Sequence, residues 1–197
     1  ILNQDTEITF YFDSKPYKGF LGDTVASALL ANDVHLVGRS FKYHRPRGIL
    51  GIGSEEPNAL ISVHKGGRVE PNVRATVQEI YQGLIVTSQN SWPNLKFDAM
   101  AINDIAARFL SAGFYYKTFM WPPRFWETLY EPLIRRAAGL GRLDSKIDDD
   151  NYDQNFLFCD LLIIGGGPSG LLSALLTAKA GLDVILVDEN ANFGGQL

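Results

Sequence analysis

Three glycines give the clearest indication of a chemical function. Gly165, Gly167 and Gly170 form a Gly-x-Gly-x-x-Gly sequence directly after the apolar run 161–164. In such a turn the first glycine allows a tight bend, and the second lets bare backbone approach a pyrophosphate. The third lets the following helix pack closely on the strand. That helix begins with unpaired N–H groups and a positive dipole end, which attract an anion without Lys or Arg. The spacing therefore predicts a site for the phosphates of a dinucleotide.

The residues after the turn supply the other parts of such a site. Pro168 and Ser169 stand at the start of the predicted helix, whose Ala- and Leu-rich sequence ends at a glycine. The next apolar run, 183–187, predicts a buried parallel strand. Asp188 stands near the spacing at which an acid binds the adenosine ribose. Glu189 follows it and no Arg comes next, which favours NAD or FAD over NADP.

Two strands and one helix make an incomplete nucleotide-binding domain. A doubly wound parallel sheet needs several more strands to cover both faces and complete the ligand crevice. We therefore interpret residues 154–197 as the first strand–helix–strand unit of an α/β Rossmann-type dinucleotide-binding domain. We expect the sequence to be the N-terminal piece of a longer polypeptide, and its start at Ile1 instead of Met predicts a loss at that end too.

Residues 1–95 predict a separate, smaller α+β domain ahead of the nucleotide unit. The pattern of apolar residues and turn residues indicates strands around one helix. The order of these elements predicts a β-grasp, ferredoxin-like fold. The elements are a hairpin with strands at 8–12 and 17–20 around an Asp13-Ser14 turn, a helix over 25–31 capped by Asp23 or Thr24, and strands at 59–63 and 69–78.

Residues 96–153 predict a helical, aromatic-rich segment and an acidic linker. The aromatic run 114–126 could line a cofactor tunnel or a subunit interface, although packing in a core is the favoured interpretation. The Asp-rich stretch 144–153 predicts a solvated connection between domains. Two helices are predicted. The first ends at Gly113 and has an apolar stripe of Ile102, Ile105, Ala106, Phe109 and Leu110. The second begins at Pro122 and Pro123, is kinked at Pro132 and ends at Gly139.

The segment 38–48 is the densest positive patch in the chain, because Arg39, Lys42, Arg45 and Arg47 are interleaved there with aromatic residues. One interpretation is a site for an anionic cofactor or for the acidic surface of a partner. The other, which we favour, is a solvated loop that docks on acids of the chain itself.

Composition excludes several classes of function. The net charge of −4 gives no general affinity for nucleic acid. No apolar run approaches the roughly twenty residues that span a membrane, and no signal peptide is recognised, so we expect a cytoplasmic location. The single cysteine, Cys159, excludes an intrachain disulfide and a Cys-rich zinc or iron–sulfur site. His35, His44 and His64 lack the spacing of metal ligands, so no metal site is expected.

Several long, irregular strings are more specific than the glycine turn. They are residues 38–48, 53–59, 88–93, 112–122 and Tyr130-Glu131-Pro132 with Ile134-Arg135. Through these strings nearly the whole chain resembles the alpha subunit of heterotetrameric sarcosine oxidase. The resemblance implies a ferredoxin-like N-terminal domain without a cluster, a region that holds NAD, and a C-terminal folate-binding part outside this sequence.

The activity that the resemblance implies is oxidative demethylation of sarcosine to glycine. Hydrogen peroxide is formed, and the methyl carbon passes to tetrahydrofolate or leaves as formaldehyde. The implied partners are beta, gamma and delta subunits, with FAD in the beta subunit and FMN at the alpha–beta interface, so no catalytic residue is assigned in this sequence. Matched position by position, the residues expected near bound NAD are Ser169, Asp188, Glu189, Asn190 and Gln196.

Two other interpretations stay open. The first is an FAD-binding subunit of the opine dehydrogenase or cyanide synthase type, which is similar in layout but in some members carries cluster cysteines in the loop. A cluster domain or the lack of a folate domain in the full-length protein would indicate it. The second is a non-catalytic interaction scaffold, in which the basic loop and the aromatic run matter more than the glycine turn.

Overall fold

The computed structural model describes residues 3–105, 107–108, 113, 121–139, 141, 144, 146, 153–189 and 193–195. The chain forms two compact units, Ile1–Asp148 and Asp149–Leu197. The finer division expected from the sequence, with boundaries after residues 95 and 153, stays a prediction.

A mixed five-stranded sheet organises the first unit. Its strands are β1 (Asn3–Phe12), β2 (Lys15–Leu21), β5 (Leu60–Lys65), β6 (Arg68–Arg74) and β7 (Ile85–Ser88), in the spatial order β2-β1-β7-β5-β6. β1 and β7 run parallel, and the other neighbours run antiparallel. Two short strands, β3 (Gly38–Arg39) and β4 (Pro46–Arg47), form a separate antiparallel ribbon. With the helix α1 (Val25–Ala31), this sheet confirms the α+β class predicted for the N-terminal region.

The buried apolar side chains of the sheet and of α1 form one core. Along β1 the alternate residues Ile8, Phe10 and Phe12 are buried, whereas Tyr11 is exposed, as the side-chain period of a half-buried strand requires. Fully buried residues of the other elements include Val25 and Leu29 of α1, Ile61 and Val63 of β5, and Val86 of β7.

The hairpin and the helix predicted near the N-terminus are confirmed. Asp13 and Ser14 both have positive φ, 47° and 65°, which suits a two-residue turn between twisted strands. The N-cap of α1 is Thr24: its hydroxyl accepts a hydrogen bond from Ser27 N, and the Ser27 hydroxyl accepts one from Thr24 N. This reciprocal pair satisfies two N–H groups that a helix start otherwise leaves unpaired.

The later strands of the sheet differ in part from the prediction. β6 ends at Arg74 instead of reaching residue 78, because the N–H groups of Val77 and Gln78 donate to Arg74 O and form a turn. The sequence analysis missed β7, although this strand lies in the centre of the sheet between β1 and β5. A strand of four residues is too short for its alternation to stand out from that of a loop.

Short helical turns follow the sheet. A 3-10 turn, Ala99–Ala101, leads into α2 (Ile102–Ile105), where Ile102 and Ile105 are exposed. The other members of the predicted apolar stripe, Ala106, Phe109 and Leu110, lie outside the described residues.

The second predicted helix is present and begins at the prolines. A 3-10 turn, Pro123–Phe125, passes into a π-helical turn, Trp126–Tyr130, and then into α3 (Glu131–Ala138), so the helix type changes beside Pro132. It ends at Gly139, whose φ of 68° is typical of a helix C-terminus. Trp121 is 81% exposed, so core packing is wrong for this member of the aromatic run, whereas residues 114–120 lie outside the described part.

The start of the predicted acidic linker contacts the β5–β6 hairpin. Asp144 Oδ2 accepts a hydrogen bond from Val69 N at 3.2 Å, and Lys146 Nζ donates to Gly67 O at 2.6 Å. Hydrogen bonds from the backbone N–H groups of Lys146 and Val69 hold the pKa of Asp144 below its usual value. Lys146 is exposed and Asp144 is partly buried, so these hydrogen bonds lie at the surface, and the solvated connection stays a prediction.

The second unit contains a strand, a helix and a strand: β8 (Leu161–Ile164), α4 (Pro168–Lys179) and β9 (Val184–Val187). The strands pair in parallel from Leu161 with Val184 to Ile164 with Val187, which confirms the elements predicted around the glycine turn. Large apolar side chains remain exposed, with Ile164 at 81% and Leu162 at 53%. Within the described ranges of the whole chain, no helix has the length and apolar character to cross a bilayer.

Candidate functional site

The turn between β8 and α4 has the backbone geometry that its glycine spacing predicts. Gly165 has a φ of 104°, a conformation that glycine adopts without steric strain. A Cβ on Gly170 would overlap the carbonyl oxygen of Gly165, so the helix begins in direct contact with the turn. A Cβ on Gly167, by contrast, would meet no atom of a described residue within 4 Å, and the φ of Gly167 is an ordinary −72°. Among the described residues nothing requires glycine at 167, whereas close approach of a pyrophosphate does.

The first turn of α4 offers hydrogen-bond donors. Gly167 is the N-cap, Pro168 fills the first helical position, and no side chain caps this end. The N–H groups of Ser169 and Gly170 have no acceptor among the described residues, and the first N–H to be paired is that of Leu171, which donates to Gly167 O. Two donors and the positive end of the helix dipole are thus available for an anion.

The two acids after β9 differ in what they contact. Asp188 Oδ2 accepts a hydrogen bond from Gly166 N at 2.5 Å, so this carboxylate holds the glycine turn. Glu189 is exposed, and its carboxylate has no hydrogen bond or ion pair with a described residue. The sequence predicted one role for both acids, whereas in the structure Asp188 uses a carboxylate oxygen to hold the turn and Glu189 has no described partner.

The segment 193–195 folds back onto the glycine turn. Gly194 N donates to Gly166 O at 2.8 Å, and a Cβ on Gly195 would lie 3.5 Å from Gly167 Cα. Asn190 and Gln196, which the sequence analysis expects near the cofactor, lie outside the described residues.

In the first unit, Arg39 of the basic loop 38–48 is used internally. Its Nε and Nη2 donate to Leu95 O at 3.0 and 2.6 Å, and it also donates to Lys96 O and His44 O. Because its donors are occupied by backbone carbonyls, Arg39 fixes the loop to the segment at 95–96.

Arg45 and Arg47 of the same loop have different environments. Arg45 pairs with Asp104 at 2.6 Å and lies over the ring of Tyr43, and the hydrogen bond and charge of Asp104 raise the pKa of Arg45. This contact agrees with the interpretation that the loop docks on acids of the chain. The Arg47 side chain has no hydrogen bond or ion pair with a described residue, and Lys42 lies over the Tyr43 ring.

The next loop, residues 49–59, is organised around the buried carboxylate of Glu56, which is 1% exposed. Its two oxygens accept four backbone hydrogen bonds of 2.5–3.1 Å, from Leu50, Gly51, Asn58 and Ala59. Burial acts to raise the pKa of Glu56, but the four N–H donors outweigh it and hold the pKa below its usual value.

Glu55 extends this arrangement at the surface of the loop. Its Oε1 accepts hydrogen bonds from Ile52 N and Gly53 N at 2.9 and 3.1 Å. Hydrogen bonds from its own backbone N–H and from Ile52 N hold the pKa of Glu55 below its usual value. The sequence analysis identified the string 53–59 only through the family resemblance and gave its acids no role.

A buried pair, His44 and Asp98, was also missed. His44 Nδ1 and Asp98 Oδ2 lie 2.6 Å apart, and the two side chains are 3% and 0% exposed. Asp98 Oδ1 accepts from the N–H groups of Trp92 and Met100. The partners are 54 positions apart in the chain, so no local spacing could have predicted them.

Comparison with known families matches both units of the chain. Residues 5–91 match the family described as 2Fe-2S iron-sulfur cluster binding domain, and residues 160–197 match the family described as FAD dependent oxidoreductase. The crystal structure of L-proline dehydrogenase from P. horikoshii superposes with a TM-score of 0.47 at 19% identity, over 98% of this chain and 26% of that one.

The residues present do not fit a [2Fe–2S] cluster. Such a cluster needs four cysteines, or two cysteines with two histidines, and Cys159 is the single cysteine of the chain and lies outside residues 5–91. Within the part that the structure describes, no group of three or more His, Cys, Asp or Glu residues could hold a metal ion.

The sequences of three sarcosine oxidase alpha subunits align with all or nearly all of this chain. Sarcosine oxidase subunit alpha of Rhizobium meliloti (strain 1021) is 58% identical over 197 residues, which is 100% of this chain and 20% of that protein. The subunits of the same name from Corynebacterium sp. strains U-96 and P-1 are 31% and 32% identical over 100% and 94% of this chain, and over 16% and 14% of their own lengths. The chain therefore spans about a fifth or less of these relatives. Over its full 197 residues this chain is therefore homologous to a part, about a fifth or less, of the sarcosine oxidase alpha subunits.

Proposed function

We propose that this chain is the dinucleotide-binding part of an oxidoreductase subunit of the sarcosine oxidase type, and that the dinucleotide is NAD. The subunit would act with beta, gamma and delta subunits, which carry FAD and share FMN, in the cytoplasmic demethylation of sarcosine with tetrahydrofolate as methyl-carbon acceptor. The support is the similarity to alpha subunits along the whole chain. NAD supplies hydride transfer when bound, whereas the residues of this chain bind and orient it.

The observation that carries the cofactor proposal is the open space at Gly167. A turn that only connected β8 to α4 would tolerate a Cβ there, because no described atom lies within 4 Å of that position. Beside this space are the unpaired N–H groups of Ser169 and Gly170. Backbone without a side chain, two donors and a helix N-terminus together match the needs of a pyrophosphate.

We further propose that Glu189, rather than Asp188, accepts the hydrogen bonds of the adenosine ribose. The carboxylate of Asp188 is already engaged with Gly166 N, whereas that of Glu189 has no partner among the described residues. A free carboxylate after the second strand can accept both ribose hydroxyls. In this proposal Asp188 holds the glycine turn and Glu189 binds the ligand.

The substitution Gly167→Val tests the cofactor site in the full-length subunit. We expect a folded protein that retains no NAD, since the new side chain enters the space needed by the pyrophosphate and its Cβ meets no described atom within 4 Å. Gly67→Val is the matched control, because a Cβ at Gly67 also meets no atom within 4 Å. NAD released by denaturation is measured by chromatography. Wild-type NAD content in folded Gly167→Val protein would disprove the site.

FAD is the second candidate for the same turn, because residues 160–197 match the family of FAD dependent oxidoreductases. Both dinucleotides contain the same ADP portion, which is what the turn and Glu189 would bind. The same denaturation experiment separates them: flavin in place of NAD in the isolated subunit would favour the opine dehydrogenase or cyanide synthase type.

A further inference from the structure

We propose that a cleft on the first unit is a binding site for a small apolar carboxylate, meaning a molecule with one carboxylate group on an aromatic or branched aliphatic body. The cleft has a volume of about 500 Å³, which is within the range of small-molecule sites. It lies between the β1–β2 turn, the residues after α1 and the segment 94–96. All of its lining residues belong to the first unit, so the proposal is independent of the dinucleotide site.

The cleft has an apolar floor and walls. Phe12 and Leu95, which line it, are 3% and 7% exposed and belong to the core, and Val34, Leu36 and Tyr17 are partly buried around them. Apolar side chains from all three segments that line the cleft favour a ligand with an apolar body, because the apolar surfaces of cleft and ligand both lose contact with water on binding.

Two cationic groups flank this apolar lining. Lys15 comes from the β1–β2 turn and Lys96 from the segment 94–96, and neither ammonium group has a hydrogen bond or ion pair with a described residue. Lysine ammonium groups donate up to three hydrogen bonds and accept none. They therefore select a ligand group that only accepts, such as a carboxylate.

The acids that line the cleft are engaged by the chain. Asp13 accepts hydrogen bonds from Ser88 N and Ser88 Oγ at 2.8 and 2.9 Å, one on each carboxylate oxygen. Asp33 Oδ1 lies 2.8 Å from His35 Nε2. The formal charges of the two acids and the two lysines cancel, so selection rests on the unused donors at short range and not on a long-range field.

Alternation along β2 supplies an internal control. Lys15 and Tyr17 are two positions apart and both line the cleft, whereas Lys18 faces the other side of the sheet and pairs with Glu7 at 2.8 Å. Removing the charge of Lys18 changes the net charge by the same amount as removing that of Lys15 or Lys96, without touching the cleft.

The test uses the full chain and two probes, phenylacetate and its neutral isostere phenylacetamide, in ligand-observed saturation-transfer NMR titrations. We expect saturable binding of phenylacetate and about tenfold weaker binding of the amide, as for the loss of a charge-assisted contact. Lys15→Gln and Lys96→Gln should each weaken phenylacetate binding, and the double variant should weaken it about tenfold or more, whereas Lys18→Gln, the charge-matched control for each single variant, should match wild type. No saturable binding, equal binding of the two probes, or unchanged binding in the double variant would overturn the proposal.

Discussion

At the scale of single residues, Glu56 stabilises the first unit because its buried carboxylate accepts four backbone hydrogen bonds. The substitution Glu56→Gln keeps one acceptor oxygen but places an amide NH₂ against two backbone N–H groups. We expect it to lower the free energy of unfolding by about 2–4 kcal/mol, the cost of leaving buried donors unpaired and losing charge-assisted bonds. Glu55→Gln is the control, because a single oxygen of Glu55 accepts both loop hydrogen bonds and an amide can keep them. Urea unfolding measures both, and equal stability of the two variants would contradict this role.

The low pKa of Glu56 also sets the sign of a pH dependence. A carboxyl whose pKa is lower in the folded than in the unfolded state stabilises the fold above its unfolded pKa, about 4.3. That contribution is lost as the pH falls through the folded pKa. The stability difference between wild type and Glu56→Gln should therefore be constant near neutral pH and shrink in acid below about pH 4. If the difference in unfolding free energy between wild type and Glu56→Gln grew on acidification, the predicted direction of the pH dependence would be wrong.

The two acids after β9 give a paired prediction. Glu189→Ala should weaken NAD binding about tenfold or more without changing the melting temperature, because the side chain contacts no described residue. Asp188→Ala should lower the melting temperature as well, since Gly166 N would lose its acceptor. Calorimetric titration and thermal unfolding of the full-length subunit measure both quantities. Normal NAD binding by Glu189→Ala, together with weakened NAD binding and full stability in Asp188→Ala, would reverse the assignment.

Among the structural elements, the β3–β4 ribbon contains two arginines in different environments. Arg39 donates to backbone carbonyls of the chain, whereas the Arg47 side chain has no partner among the described residues. Arg39→Glu should unfold or destabilise the first unit, because its donors hold the backbone carbonyls at residues 95–96. Arg47→Glu should leave stability unchanged and weaken assembly with other subunits more at low salt than at high salt. Thermal unfolding and gel filtration of the assembled complex measure the two effects. Assembly of Arg47→Glu at the wild-type level in low salt would favour a purely solvated loop.

How well each element could be predicted depends on the range of its interactions. The glycine turn, the Asp13-Ser14 hairpin and the Thr24 cap were predictable because all their determinants lie within a few residues. The His44–Asp98 pair and the central strand β7 were not, since each gains its stability from partners far along the chain. Of the candidate site, the sequence predicted the conformation of the turn, whereas the hydrogen bond from Gly166 N, on which the proposed division of roles between Asp188 and Glu189 rests, could not be predicted.

On the scale of the whole molecule, the second unit leaves much apolar surface uncovered. Ile164 and Leu162 of β8 and Leu172, Leu175 and Leu176 of α4 are all more than half exposed. Parallel strands are normally covered on both faces, and the relatives are about five to seven times as long as this chain. We infer that further polypeptide covers these residues in the full-length subunit and completes the far wall of the dinucleotide crevice.

The 197-residue chain alone should accordingly bind NAD poorly. Missing contacts worth about 4 kcal/mol would weaken binding roughly a thousandfold relative to the full-length subunit. Calorimetric titration of both proteins measures the difference, and gel filtration controls for aggregation through the exposed apolar surface. Micromolar affinity in a monomeric 197-residue sample would show that the half-site is sufficient.

The carboxylate at the centre of the loop 49–59 has a consequence for how this part of the protein exchanges hydrogen with solvent. Backbone amides in irregular loops usually exchange quickly, because nothing has to unfold before water reaches them. Here the amides of Leu50, Gly51, Asn58 and Ala59 are all bonded to one buried side chain, and none can exchange until Glu56 leaves its place. In deuterated water these four positions should therefore behave as a single slow group, as protected as a strand although they belong to none.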